Sequence, residues 1–214
     1  MPRLITFGCS YTYGSFLPDC CSTLSDGAPC HGAIPSKLAW PQLLGDMLGL
    51  EVVNKSLPGA SNLQILYEIL NFKFRPDDQV VIMWSLPNRD LVFTKFWKKD
   101  SIGILKPFRQ LGTWMTDLVA RRWITTLNEH DYCVKSWVYM QHAGLYLDNK
   151  NIKYIHYPAN ISELLQYKPK FINLTNLVTA AKMFNVDKAI DSQHPGVVSQ
   201  QLTAKQIYGI LCQD

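Results

Sequence analysis

Short apolar runs alternate along the chain with longer stretches in which apolar residues recur every three or four positions. Leu4-Ile5-Thr6-Phe7 is β-prone and stops at Gly8, the pattern of a buried strand followed by a tight turn. Glu51-Val52-Val53-Asn54 reads as a second strand and Val80-Val81-Ile82-Met83-Trp84 as a third. The third is apolar without alternation, as in strands buried on both faces of a parallel sheet. Ile152 to Tyr157 makes a fourth, terminated by Pro158. Helical patterns lie between them. Ser36 is placed to cap a helix reaching Leu48, with Leu38, Leu43, Leu44, Met47 and Leu48 on its apolar face and Gly49 as its stop. Ser61 is placed to cap another, whose face includes Leu63, Ile65, Leu66, Ile69 and Leu70. Helical spacing resumes from Met115 through Leu147, and further helices are predicted from Leu174 to Met183 and from Val197 to Leu211.

Two stretches break this rhythm. Phe16 to Pro35 is rich in Pro, Gly, Ser, Asp and Cys and reads as a long surface loop. Leu86 to Gly112 has no clean period, and an insertion or lid over one end of the sheet is expected there. Strands alternating with helices imply an α/β fold, a parallel sheet covered on both faces and joined by right-handed crossovers. With 214 residues, no repeat and no linker, residues 1–214 are expected to form one domain around one core.

Composition narrows the class. Hydrophobic residues make up 47% and charged residues 18%, the balance of an ordinary folded protein. No run reaches the roughly 18 apolar residues needed to span a bilayer, so no membrane partner is expected. Met1 to Ser10 lacks a charged region followed by a long apolar stretch, so no secretory signal is expected. The six cysteines, Cys9, Cys20, Cys21, Cys30, Cys133 and Cys212, are then expected as thiols in a reducing, cytoplasmic setting. Cys20, Cys21, Cys30 and His31 match no paired-ligand spacing, so loop thiols are expected there rather than a zinc site. The net charge of +4 comes partly from Lys95, Lys98, Lys99, Lys106, Arg109, Arg121 and Arg122, interleaved with Phe96, Trp97, Phe108, Trp114 and Trp123. Such a mixture can bind nucleic acid or sugar-phosphate, but no nucleic-acid motif accompanies it. A solvated surface with anchoring aromatics is expected instead.

Three stretches carry chemistry. Gly8-Cys9-Ser10-Tyr11-Thr12-Tyr13-Gly14 follows the first strand, where ligand sites of open α/β sheets form. A serine on such a turn can expose its hydroxyl while its own N–H faces a developing oxyanion, although a serine there also serves as a helix cap. Asp191-Ser192-Gln193-His194 precedes the last predicted helix. Two intervening residues let a turn fold the carboxylate onto one imidazole nitrogen and leave the other for a serine proton, the division of labour of a triad. A turn-capping aspartate beside a partly exposed histidine reads equally well. Pro58-Gly59-Ala60-Ser61-Asn62 joins the second strand to a helix, and Gly59 can present its N–H to an anion.

The order of these stretches resembles the SGNH (GDSL-like) hydrolase superfamily, especially a bacterial and bacteriophage branch with Gly-Cys-Ser-Tyr/Phe-Thr and Pro-Gly-Ala-Ser-Asn. The resemblance implies a flavodoxin-like three-layer α/β/α sandwich and a serine esterase with Ser10 as nucleophile and Asp191 and His194 completing the triad. It further implies an oxyanion hole of Ser10, Gly59 and Asn88, with Asn62 supporting the turn or the following helix. Cys9 stands where the family has aspartate, and Trp84-Ser85-Leu86-Pro87-Asn88 replaces the family's Gly-x-Asn-Asp. No metal or organic cofactor is required, and the implied partner is a small ester or acylated glycan. A cytoplasmic setting or a phage particle is the implied location. An inactive SGNH-fold binding or structural module is the alternative, because the third block is altered.

Overall fold

The computed structural model describes residues 1–23, 29–99, 105–111, 118, 122, 126 and 128–212. Four parallel strands form the central sheet: β1 (Arg3–Phe7), β4 (Glu51–Asn54), β5 (Gln79–Trp84) and β8 (Lys153–Pro158), in the order β4-β1-β5-β8. The apolar runs sit here because both faces are covered. On one face Ile5, Phe7, Ile82 and Trp84 pack against Ile65 and Ile69 of α3 (Asn62–Leu70) and Trp137 and Met140 of the helix Glu129–Asp148, numbered α4. On the other, Leu4, Val81, Met83 and Tyr157 meet Trp40 and Leu44 of α2 (Trp40–Leu48) and Ala204 and Ile207 of the helix Val197–Leu211, numbered α6. Each fully buried Leu, Ile or Phe contributes about 1.5–3 kcal/mol, so the two layers hold the sheet between them. This is the three-layer α/β/α sandwich. At the strands' amino ends, Arg3 forks onto Asp78 (2.9 and 2.7 Å), fixing β1 to the turn that starts β5.

Several expectations are corrected. Ser36 closes a turn rather than capping a helix: its hydroxyl donates to Asp19 (2.5 Å) and accepts from Leu38 N–H (2.9 Å). Helix α2 starts four residues later with Pro41 in its first turn, and Ala39 gives no side-chain cap. The Phe16–Pro35 loop contains a hairpin of β2 (Cys21–Thr23) and β3 (Pro29–His31). Pro158 pairs as the last residue of β8 instead of ending it. Leu174 to Met183 is not a helix. Asn176 has φ 59°, outside helical space, and Leu177 instead lies beside β8, with His156 N–H donating to Asn176 O and Val178 N–H to His156 O (both 2.9 Å). A short helix, α5 (Ile161–Gln166), was not predicted.

Between β5 and α4 the chain forms an antiparallel ribbon of β6 (Asp90–Lys99) and β7 (Leu105–Leu111). Asp90 roots it, accepting from its neighbour Leu91 N–H (2.8 Å) and pairing with Lys135 of α4 (3.4 Å). Apart from Arg122, the side chains of the basic and aromatic cluster lie outside the described residues.

His156 on β8 is fully buried and accepts a hydrogen bond from the Trp84 indole at 3.0 Å. Burial pushes its pKa down to about 3. The unfolded chain therefore binds a proton near pH 6.5 that the folded chain refuses until about 3. Stability should fall as pH drops through that window, by at most about 1.4 kcal/mol per unit from this group. His156→Gln keeps an acceptor and does not titrate, so urea unfolding of this variant should show a shallower acid slope.

Candidate active site

The winding of the sheet reverses at β1: the chain passes from it to β4 on one side, then returns to β5 and β8 on the other. Beyond the carboxyl ends of β1 and β5 lies the crevice where such sheets place their chemistry. Ser10 opens α1 (Ser10–Tyr13) there, with Cys9 as N-cap. A Cβ on Gly8 would fall 2.1 Å from Thr12 Oγ1 and 3.1 Å from Met83 O, so only glycine lets the helix fold back this tightly beside β5. Ser10 is 4% exposed. Cys9 turns into the core that contains Ile5 and Phe7, where a thiol is inert as a nucleophile.

The segment leaving β4 docks onto this turn. Lys55 N–H donates to Thr6 O (2.8 Å), Leu57 N–H to Gly8 O (3.1 Å) and the Asn54 amide to Thr12 O (2.9 Å). Gly59 has φ 75°, a conformation that disfavours side chains. Its N–H and that of Ser10 enter no backbone hydrogen bond among the described residues, which leaves both as donors on adjoining loops.

The third piece comes from the other end of the chain. Asp191 Oδ2 lies 2.5 Å from His194 Nδ1, and Asp191 Oδ1 accepts from the N–H groups of Gln193 (3.2 Å) and His194 (3.0 Å). Burial pushes the Asp191 carboxyl up, but the His194 backbone and ring hydrogen bonds and that from Gln193 together hold it below the usual carboxylate range. An ionised carboxylate on Nδ1 can orient an imidazole and leave its Nε2 to exchange a proton. The turn is tight enough to put Ser192 at φ 60°.

Rings and backbone carry this turn to Ser10. Ile190 N–H donates to Phe16 O (3.2 Å), and the His194 ring packs on Tyr11 (centroids 5.7 Å) and Phe16 (5.1 Å). Phe16 sits at φ 65°, a strained conformation for an aromatic residue, and also packs on His31 of the hairpin (4.6 Å), whose ring in turn meets that of His194 (6.5 Å). Burial and then the neighbouring His194 push His31 down in pKa. From the sequence alone Phe16 has no role at the site, His31 counts only with the loop cysteines, and Tyr11 only as part of the Ser10 block. Among the described residues no hydrogen bond joins Ser10 to His194. In unliganded sites such bonds are often long and tighten when substrate binds.

The two asparagines diverge. Asn62 is 2% exposed and uses its whole amide: Oδ1 accepts from Ser85 N–H (2.7 Å), and Nδ2 donates to Ser85 O (3.2 Å) and Ser136 Oγ (2.9 Å). It clamps the carboxyl end of β5 to α3 and α4. Asn88 lies half-buried in the turn between β5 and β6.

No family model and no curated protein matches the sequence. Solved structures do resemble the fold. An acetyl xylan esterase from Butyrivibrio proteoclasticus aligns with a TM-score of 0.57 and 11% identity over 98% of this chain and 63% of that one. An acetylxylan esterase from Geobacillus stearothermophilus, a catalytic mutant, aligns at 0.51 and 14% over 99% and 94%. A psychrotrophic esterase from Pseudoalteromonas aligns at 0.50 and 12% over 98% and 96%. The chain shares the α/β fold of these esterases. It spans just under two thirds of the length of the Butyrivibrio enzyme.

Asn62→Ala leaves both backbone groups of Ser85 and the Ser136 hydroxyl short of a partner. It should destabilise the protein by about 2–4 kcal/mol in urea unfolding.

Proposed function

We propose that the protein is a serine hydrolase that cleaves a carboxylic ester, with O-acetyl groups on carbohydrate as the substrate class. The observation that carries this reading is the Asp191–His194 pair, 2.5 Å apart and packed on Tyr11, the residue after Ser10. The acetyl xylan esterases that share the fold support the choice of acyl group and glycan.

In this reading His194 Nε2 takes the Ser10 proton as the hydroxyl oxygen attacks the acyl carbon. Asp191 fixes the tautomer and stabilises the imidazolium. The oxyanion is met by the N–H groups of Ser10 and Gly59. Asn88 is the side chain assigned as third donor, since the Asn62 amide is fully engaged. The tetrahedral centre collapses, the imidazolium protonates the leaving alcohol, and an acyl-Ser10 ester remains. Water then repeats the sequence: His194 deprotonates it, the acid departs, and Ser10 regains its proton. The chemistry needs neither metal nor organic cofactor.

The burial of Ser10 favours one competing reading, a glycan-binding module that keeps the fold without turnover. The two are separated by a nitrophenyl acetate assay and labelling with a fluorophosphonate. The wild-type chain should cleave and label, Ser10→Ala should do neither, and Asp191→Asn should lose about 10⁴-fold in kcat. Asn88→Ala should lose about 100- to 1,000-fold if it donates to the oxyanion. A wild-type chain that is inert in both assays rules out the hydrolase.

A further inference from the structure

The nucleophile and the histidine come from opposite ends of the chain, so something must fix the distance between them. Gln200, on α6, is 1% exposed. That helix begins just after His194, with Gly196 as its N-cap. The Gln200 side chain reaches across the sheet's end in two directions. Its Oε1 accepts from Trp40 N–H at 3.0 Å, and its Nε2 donates to Tyr11 O at 3.2 Å.

Both partners are helix-end groups that the helices themselves leave unpaired. Trp40 N–H heads α2, whose N-cap Ala39 offers no side-chain oxygen. Helix α1 spans four residues, and its closing N–H groups, from Gly14 and Ser15, both go to Ser10 O. The carbonyl of Tyr11, next to the nucleophile, is therefore left for Gln200. One buried amide thus ties the helix that follows the histidine to the turn that carries the serine. Among the described residues it is the side-chain hydrogen bond joining α6 to α1. The two regions are also joined by the Ile190–Phe16 backbone bond, the ring contacts of His194 and apolar packing of Leu17 and Phe16 with Ala189 and Val197.

We propose that Gln200 is a positioning residue for the proposed hydrolysis, holding Ser10 in register with His194 through the Tyr11 carbonyl. The proposal rests on the hydrolase reading of the same site. A neutral amide suits this place because it donates and accepts at once; neither a carboxylate nor an apolar side chain of equal length can do both.

The test compares wild type, Gln200→Met and Gln200→Glu for kcat and KM on nitrophenyl acetate, for fluorophosphonate labelling per folded molecule, and for thermal unfolding. Gln200→Glu keeps an acceptor for Trp40 N–H and places a carboxylate oxygen against Tyr11 O, and it carries the test where Gln200→Met does not fold. Both variants should lose about 10- to 100-fold in kcat and labelling rate, with KM within about twofold, as expected for a misplaced nucleophile. A purely structural glutamine predicts a different pattern: a lower unfolding temperature, with the rate per folded molecule unchanged and Gln200→Glu like wild type. That result overturns the proposal and leaves the hydrolase reading intact. A wild-type chain that neither cleaves nor labels overturns both.

Discussion

At the end of β1 the side chain of Thr12 folds back against Gly8 so closely that a single methyl group there would lie 2.1 Å from its hydroxyl oxygen. The rest of the site is arranged around this approach. Because the chain turns without a side chain at Gly8, α1 starts at once and Ser10 falls in the crevice between β1 and β5. The Gly8 carbonyl stays accessible to Leu57 N–H, which brings the Gly59 loop alongside. The same tight turn leaves the Tyr11 carbonyl for a partner from α6. A bulkier residue would displace Ser10, the loop beside it and the Tyr11–Gln200 hydrogen bond together.

Unfavourable local conformations gather around the same point. Phe16 and Ser192 both occupy left-handed backbone space, each costing on the order of 1–3 kcal/mol. One holds a ring against two imidazoles, and the other bends Asp191 onto His194. The surrounding structure tolerates them because the sheet beneath is buried on both faces and rigid. The positively and negatively acting neighbours of Tyr11 point the same way. Burial raises the pKa of its hydroxyl, Cys9 and Asp191 add to this, and Arg89 opposes them.

Much of this was legible in the sequence. The unbroken apolar run Val80–Trp84 marked β5 because a strand buried on both faces needs no polar alternation, and shorter β-prone runs marked β1, β4 and β8. Ser61 marked the start of α3 because its hydroxyl accepts from Gln64 N–H, a contact three residues long. The ordered Gly-Cys-Ser, Pro-Gly-Ala-Ser-Asn and Asp-x-x-His stretches pointed to the SGNH fold. What escaped depends on distant partners. Gln200 and Tyr11 are 189 positions apart, and nothing local at either one announces the other. Leu174, Leu177, Val178 and Met183 carry helical spacing, yet Asn176 turns out of helical space and the segment lies beside β8. Ser36 has the right chemistry for a cap, but Asp19, seventeen residues away, takes its hydroxyl. The strain at Phe16 left no mark either, since aromatic residues rarely adopt that conformation.

The segment beside β8 has a consequence beyond the site. An open parallel sheet ends in a strand whose outer N–H and C=O groups invite pairing with another chain. Here the outer groups of His156 are taken by Asn176 and Val178, and the Tyr157 hydroxyl donates to Lys182 O (2.7 Å). The irregular run that covers this edge at His156 continues into Asp191 and His194. Covering that part of the edge and holding His194 beside Tyr11 and Phe16 are therefore duties of one stretch of backbone. Loosening that stretch would bare the outer groups of His156 as it moved the His194 ring away from α1.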